Sequence, residues 1–148
     1  MVLMVSVDAK KNERMVKSVA KICDRVKGLI IVDEKLMELV ADIAMRKGWL
    51  GERFTVDLAN LLVKEYTRMA ERWVENMRKG FGKHGMVFEG KIRKGNFVEV
   101  LVDEAKALKV SRVVLTYKKG FNPYWSVIKE LVPTIRRKLE DIELMILA

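Results

Sequence analysis

The sequence predicts an α/β protein, a doubly wound parallel sheet with helices on both faces. Apolar runs of strand length alternate with stretches whose apolar residues recur every three or four positions, as in amphipathic helices. The apolar runs are nearly continuous, which is typical of parallel strands buried on both faces. With 148 residues, half of them hydrophobic, the chain is expected to form one domain over residues 1–148 that buries roughly 70% of its unfolded surface.

The first half of the chain contains two strands and three helices. In order, they are a strand Val2–Val7 ending at Asp8, a helix Asn12–Lys27 closed by Gly28, a strand Leu29–Val32, a helix that includes Leu36 to Ile43, and the longest helix, for which Thr55 is the N-cap. Glycine is the residue that most often ends a helix, which is why Gly28 is taken as the C-terminal signal.

The second half contains three strands and two helices. In order, they are a strand Met86–Ile92, a helix beginning at Asn96, a strand Val110–Thr116, a helix capped by Asn122, and a strand Ile142–Leu147. The strand Met86–Ile92 alternates apolar and charged residues, as an edge strand does. Pro123 suits the first position of the last helix, and Pro133 is expected to kink or restart that helix.

The chain is basic, and the positive charge is concentrated in one segment. The formal net charge is +9, from 29 basic and 20 acidic side chains. The segment 78–94 contributes +5 through Arg78, Lys79, Lys83, Lys91, Arg93 and Lys94 against Glu89. With Phe81, Phe88 and His84 available for stacking, this segment could contact nucleic acid. The alternative is a solvated face on a heat-adapted protein, since the sequence has no glutamine and many Lys, Arg and Glu residues.

Several function classes are excluded or disfavoured by what the sequence lacks. The single Cys23 excludes an intramolecular disulfide and a multi-cysteine metal site, and no metal site is expected. Neither the dinucleotide-binding nor the Walker glycine pattern is present. The apolar N-terminus, Met1–Val7, is too short for a signal or membrane segment, so a cytoplasmic protein with no membrane partner is expected.

The loop between the fourth strand and the last helix, Leu115–Ser126, lies where doubly wound proteins hold phosphates. It has one glycine, Gly120, preceded by Lys118 and Lys119. Two interpretations are open. The two ammonium groups and the helix start at Asn122 could hold an anion, or the loop is a surface turn whose aromatic residues, Phe121, Tyr124 and Trp125, fill the cleft. Asp8 could bind the amino group of a base, or it could cap the turn after the first strand.

The chain resembles the universal stress proteins, an adenine-nucleotide-binding α/β family. The resemblance covers almost the whole chain and includes Val7-Asp8 at the end of the first strand, the helical insertion after the second strand, and "KIRKGNFVEVLVDEAKALKVSRVVL". That last stretch matches the family's third strand, glycine-containing turn, helix and fourth strand. The resemblance implies a five-stranded parallel sheet of order 3-2-1-4-5.

The resemblance also identifies the candidate ligand-binding residues. Members that bind nucleotides carry the loop Gly-x2-Gly-x9-Gly-Ser/Thr after the fourth strand. Here Thr116 stands at the first glycine, Lys119 at the second with Gly120 one residue late, and Lys129-Glu130 at the final pair. Asp8 stands where family members contact adenine, and Ser6 replaces a frequent proline. The candidate ligand contacts are Asp8, Thr116, Lys118, Lys119, Gly120 and Asn122.

The function expected from these observations is that of a non-enzymatic, universal-stress-protein-like regulatory or protective protein with a degenerate nucleotide loop and another anion as its ligand. No catalytic residue and no cofactor are expected. One alternative is a nucleic-acid-binding module that uses the segment 78–94, and another is a protein that binds ATP, or hydrolyses it weakly, with a rebuilt loop. The strand Ile142–Leu147 would be an apolar sheet edge, for which pairing with a second copy in a homodimer is expected.

Overall fold

A computed structural model of the chain describes residues 1–10, 13–46 and 55–148. It contains a five-stranded, all-parallel sheet of order β3-β2-β1-β4-β5. The predicted α/β class and strand order are therefore confirmed. Among the described residues no helix is both long and apolar enough to span a membrane.

The described elements follow the predicted order. The strands are β1 (Val2–Ser6), β2 (Val26–Val32), β3 (Phe88–Lys94), β4 (Arg112–Thr116) and β5 (Glu143–Leu147). The helices are α1 (Glu13–Ile22), α2 (Glu34–Arg46), α3 (Thr55–Gly82), α4 (Phe97–Ala107), α5 (Pro123–Ile128) and α6 (Val132–Leu139), with a 3₁₀ turn at Lys129–Leu131 between the last two helices.

The helices pack on both faces of the sheet. In β3, the position of Gly90 faces Val74 of α3, whereas Lys91 forms an ion pair with Glu104 of α4. Because neighbouring strand residues point to opposite faces, α3 and α4 lie on opposite sides. Helix α1 contacts α3 and helix α6 contacts α4, which gives each face its helical layer.

The expected role of Gly28 is wrong, and the structure shows why a glycine stands there. Helix α1 ends at Ile22 and Gly28 lies inside β2, where the ring of Phe88 covers it. A Cβ atom at position 28 would lie 2.1 Å from Cζ of Phe88. The glycine therefore makes room for an aromatic cluster in which Phe88 stacks on Phe81 and meets the edge of Trp73.

The other boundary signals agree with the structure or shift by a few residues. Asn96 and Asn122 both cap helices through their side chains, and the last helical segment restarts at Val132, next to Pro133. Strand β3 begins and ends two residues later than the predicted Met86–Ile92. Asn12, the predicted first residue of the first helix, lies outside the described residues.

Candidate functional site

The candidate site lies at the carboxyl ends of β1 and β4, which pair side by side. From β1 the chain crosses to β2 on one side, and from β3 it returns to β4 on the other, so this is the point where the strand order reverses. Open α/β sheets bind their ligands at such a point. A cleft of about 350 Å³ lies here, and its lining includes Asp8, Lys10, Lys118, Lys119, Asn122 and Tyr124.

The carboxylate of Asp8 is enclosed by hydrogen bonds from the chain itself. Its Oδ2 accepts from the backbone N–H of Lys118 at 2.8 Å and from Nδ2 of Asn122 at 2.7 Å. Its Oδ1 accepts from the backbone N–H of Lys10 at 3.1 Å. The side chain is buried, with 2% of its surface exposed. In this arrangement the carboxylate holds the end of β1 against the loop after β4.

Asn122 completes this link, and all its strong hydrogen-bonding groups are in use. Its Oδ1 caps α5 by accepting from the N–H of Trp125 at 3.0 Å, as its position before Pro123 predicts. Its Nδ2 donates both to Asp8 and to the carbonyl of Lys118, the latter at 3.0 Å. The predicted N-cap thus has a second role, which is to join Asp8 at the end of β1 to Lys118 in the loop after β4.

Two stacked tyrosine rings lie next to Asp8. The hydroxyl of Tyr66, from α3, donates to the carbonyl of Val7 at 2.8 Å, directly past the end of β1. Tyr124 of α5 stacks on Tyr66 with ring centroids 5.2 Å apart. Burial, and then the nearby charge of Asp8, raises the pKa of Tyr124 to about 12. Burial, with smaller contributions from Tyr124 and Asp8, also raises the pKa of Tyr66 well above its ordinary value.

The three aromatic residues of the loop have different positions. Tyr124 occupies the space beside Asp8, as one of the two sequence interpretations proposed. Trp125 instead stacks on Tyr117, with centroids 4.2 Å apart, and the Tyr117 N–H donates to Leu147 of β5. Phe121 lines the cleft but is 65% exposed. Of the three, Tyr124 and Phe121 line the cleft, and Tyr124 is the one that stacks on Tyr66 beside Asp8.

Thr116, at the position of the first family glycine, is fully buried at the end of β4. It pairs with Ser6 across the strands, and its carbonyl accepts from the N–H of Val7 at 2.9 Å. Its hydroxyl has no hydrogen-bond partner among the described residues. The Ser6 hydroxyl accepts from the N–H of Ala9 at 2.9 Å, which stabilises the turn where Ala9 adopts the left-handed conformation, with φ of 55°.

The remaining loop candidates lie at the surface. Lys118, Lys119 and Gly120 are exposed, and Gly120 has φ of 102°, a conformation that favours glycine. Lys118 and Lys119 line the same cleft as Asp8, so the structure brings these candidates together. Lys129 and Glu130, at the final positions of the family motif, are exposed in the 3₁₀ turn.

The basic segment 78–94 is divided between the end of α3 and β3, and most of its charges face carboxylates. Arg78 contacts Glu75 at 2.6 Å. In β3, Arg93 contacts Glu104 at 2.8 Å and Asp103 at 3.1 Å, and Lys91 contacts Glu104 at 3.0 Å. Burial opposes ionisation of Glu104, but the hydrogen bonds from Lys91 and Arg93 lower its pKa. These pairs leave less free positive charge than the sequence suggests.

Cys23 is half-buried, and its thiol donates to the carbonyl of Val19 at 3.3 Å. Burial is the largest influence on this thiol and raises its pKa. In the described parts of the chain no three His, Cys, Asp or Glu side chains are grouped so that they could hold a metal ion.

Tyr66 is the site residue that the sequence reasoning missed. It lies four residues after Leu62 and three before Met69, a spacing that places it on the buried stripe of the long helix. That spacing predicts burial of the ring. The contact of its hydroxyl with Val7, 59 positions away, is a tertiary interaction that spacing alone does not reveal.

These features define the class of protein, a doubly wound α/β fold with a ligand-type crevice at its switch point. The chain is similar in structure to a universal stress protein from Lactobacillus plantarum, with a TM-score of 0.61 at 12% identity over 100% of this chain and 97% of that one. A universal stress protein in complex with cAMP matches with a TM-score of 0.59 at 12% identity, over the same shares of the two chains. One from Archaeoglobus fulgidus matches at 0.55 and 16% identity, over 100% and 93%.

The fold is therefore that of the universal stress proteins, as the resemblance in sequence implied. No protein-family model matches the sequence, and no curated protein is similar to it. At 12–16% identity the structural likeness establishes the fold, while the chemistry of the cleft has to be argued from its own residues.

Proposed function

We propose that this chain is a non-enzymatic, universal-stress-protein-like regulatory or protective protein that does not bind ATP in the family's manner. The observation that carries this proposal is that the Asp8 carboxylate is buried and already hydrogen-bonded within the chain. The carboxylate that would contact adenine already accepts hydrogen bonds from Lys10, Lys118 and Asn122. A nucleotide base would have to displace these internal bonds and the Tyr124 ring beside them.

The loop offers little to a triphosphate. Thr116 and Lys119 replace glycines that let the backbone approach phosphates, and the N–H of Lys118 is committed to Asp8. Among the described residues that line the cleft, the three lysines Lys10, Lys118 and Lys119 outnumber the one carboxylate, Asp8. A small inorganic or organic anion at the mouth of the cleft is therefore the ligand that fits the proposal.

Thermal unfolding with and without magnesium-ATP tests this proposal. A ligand present at 100 times its Kd stabilises the folded state by about 2.7 kcal/mol, which is easily measured. We expect no shift in melting temperature with millimolar ATP and no phosphate release above background. A saturable shift that Asp8→Ala abolishes would show a working nucleotide site and contradict the proposal.

The anion part has its own test with phosphate and pyrophosphate. We expect a small stabilisation that Lys118→Met and Lys119→Met reduce. Lys129→Met, an exposed lysine outside the cleft lining, is the matched control and is expected to leave the shift unchanged. Equal effects of all three substitutions would indicate general charge screening and not a site.

We further propose that the protein is a homodimer joined through β5. This strand pairs only with β4 among the described strands, and its Met145, Ile146 and Leu147 are half-buried. An apolar strand with a free edge pairs readily with a second copy. Light scattering should give twice the chain mass of 17.1 kDa, and Met145→Lys should give monomers. A wild-type monomer at micromolar concentration would contradict this.

A further inference from the structure

A second cavity lies between α1 and the last turns of α3, and among the described residues it shares no lining residue with the Asp8 cleft. Its volume is about 240 Å³. Ligand pockets for drug-sized molecules have roughly 300–1,000 Å³, so this cavity suits a smaller molecule than a nucleotide.

The floor of this cavity is apolar and closely packed. Val16 of α1 and Met77 of α3 line it, with 5% and 1% of their surfaces exposed. Gly80 lies between them, and a Cβ atom there would come within 3.3 Å of Cγ2 of Val16. A glycine inside a helix is destabilising relative to alanine. At this position it allows α1 to approach and leaves the space above Val16 open.

The rim of the cavity is positively charged. Lys17 of α1 and Lys79 and Lys83 at the end of α3 line it, with Glu13 as the one carboxylate among the described lining residues. Lys79 is 3.9 Å from Glu75, whose same oxygen is held by Arg78 at 2.6 Å, so the charge of Lys79 is poorly neutralised. Lysines commonly stabilise the C-terminus of a helix, which accounts for two of the three. Lys17 lies on the exposed face of α1, one turn after Glu13, and brings a third positive charge to the rim.

The part of the rim beyond α3 is held in place by backbone hydrogen bonds. The N–H groups of His84 and Met86 both donate to the carbonyl of Phe81, at 2.9 and 3.0 Å, and Gly85 has φ of 72°. Phe81 itself is fully buried. The His84 side chain, which lines the cavity, is thus presented by a fixed turn and adds a hydrogen-bonding edge beside the lysines.

We propose that this cavity binds a small organic anion with an apolar body, of the class of aromatic carboxylates. The apolar body packs on Val16, Met77 and the open space at Gly80. The carboxylate meets the lysines of the rim, and Glu13 and Asn76 orient any polar substituent. This assignment also gives the α3 part of the basic segment a role that does not involve nucleic acid.

The test uses benzoate as the probe, with acetate and benzyl alcohol as matched probes that lack the ring or the charge. Amide chemical shifts of the full chain should move saturably with benzoate, at residues 13–17 and 76–84, at concentrations around millimolar. Acetate and benzyl alcohol should each bind more weakly. Absence of saturable shifts there, or equal shifts with acetate, would overturn the proposal.

Charge-removal variants provide the second arm. Lys17→Met combined with Lys83→Met keeps the apolar stems and should weaken benzoate binding about five- to tenfold, since each exposed ion pair contributes little. Lys138→Met with Lys129→Met removes the same charge elsewhere on the surface and should change binding less than about twofold. Equal weakening by both pairs would overturn the site.

A steric variant separates binding from folding. Gly80→Ala places a methyl group against Val16 and should weaken benzoate binding, while thermal unfolding without ligand verifies that the fold is retained. Unchanged benzoate affinity in folded Gly80→Ala would overturn the proposal. Retention of RNA that depends on Lys17 and Lys83, without benzoate binding, would also overturn it and assign these lysines to nucleic acid.

Discussion

Two aspartates follow neighbouring strands, and both use their carboxylates to join chain segments at the carboxyl ends of the strands. Asp33, after β2, accepts from the N–H of Leu36 at 3.1 Å and of Phe97 at 2.9 Å, and so joins the starts of α2 and α4. Asp8, after β1, joins its own turn to the loop after β4. Asp33 is half-buried, whereas Asp8 is fully buried beside two stacked tyrosines.

The difference between these aspartates lies in their burial and in the number of donors that each one accepts from. Both carboxylates bridge backbone N–H groups of distant segments. Only Asp8 stands at the switch point, where an open crevice would leave a carboxylate free for a ligand. There it accepts from a third donor, Asn122, and lies beside the stacked rings of Tyr66 and Tyr124. All three bonds are made within the chain.

The largest expected effect is from Asp8→Ala. It removes three hydrogen bonds and leaves the part-buried N–H of Lys118 and one N–H of the buried Asn122 amide without an acceptor, each at a cost of about 1–3 kcal/mol. We expect the free energy of unfolding to fall by about 3 kcal/mol or more, measured by urea denaturation. A loss below that of Asp33→Ala would contradict the comparison.

Asp33→Ala is expected to cost less, about 1–2 kcal/mol. It removes one helix cap, typically worth about 1 kcal/mol, and the bond to Phe97. Both bonds are part-buried and Asp33 itself is half-buried, so in the variant water can take the place of the carboxylate. Urea denaturation of both variants side by side gives the ratio of the two losses directly, and Asp24→Ala, at an exposed aspartate in the bend between α1 and β2, serves as the control.

Tyr66→Phe tests what the Tyr66 hydroxyl contributes to the free energy of unfolding. It keeps the stacking on Tyr124 but removes the donor to Val7, for an expected loss of about 1 kcal/mol. Leu62→Ala on the same helix would instead report lost packing. If Tyr66→Phe has no effect in urea denaturation, the hydroxyl does not help to close the end of β1.

The smallest effect at neutral pH is expected from Tyr124→Phe, which acts mainly at alkaline pH. Raised pKa values mean that the two tyrosines stabilise the fold fully below their unfolded pKa near 10. That contribution is lost as the pH rises through about 12, the pKa of Tyr124. Tyrosine absorbance during a pH titration measures this, and Tyr124→Phe should reduce the alkaline loss of stability. In a separate variant, Asp8→Ala should lower the pKa values of both Tyr66 and Tyr124, since the Asp8 charge helps to raise them.

Local patterns in the sequence were sufficient for the α/β class and the succession of elements, whereas the strand order followed from the family resemblance. Continuous apolar runs located the strands, and Asn96, Asn122 and Pro133 marked helix boundaries that the structure contains. Gly28 was misassigned because glycine is common at helix ends, whereas here a glycine is needed inside a strand to make room for an aromatic ring. The ring is that of Phe88, 60 positions away, and no local pattern contains that information.

The candidate site was only partly predictable for the same physical reason. The position of Asp8 and the cap at Asn122 follow from local rules, and the loop lysines are visible in the sequence. Their hydrogen-bonded link, and the cover by Tyr66 from α3, depend on side chains that meet only when the sheet has formed.

The link between Asp8 and the β4 loop also has a consequence for the order of folding. It joins residues 110 and 114 positions apart, and contacts of such long sequence separation form slowly because a large loop must close first. We expect the first strand to form its bonds to residues 118 and 122 after the shorter-range contacts of the chain between them. The amide of Lys118 should therefore gain protection from hydrogen exchange late in refolding, together with the pairing of β1 and β4.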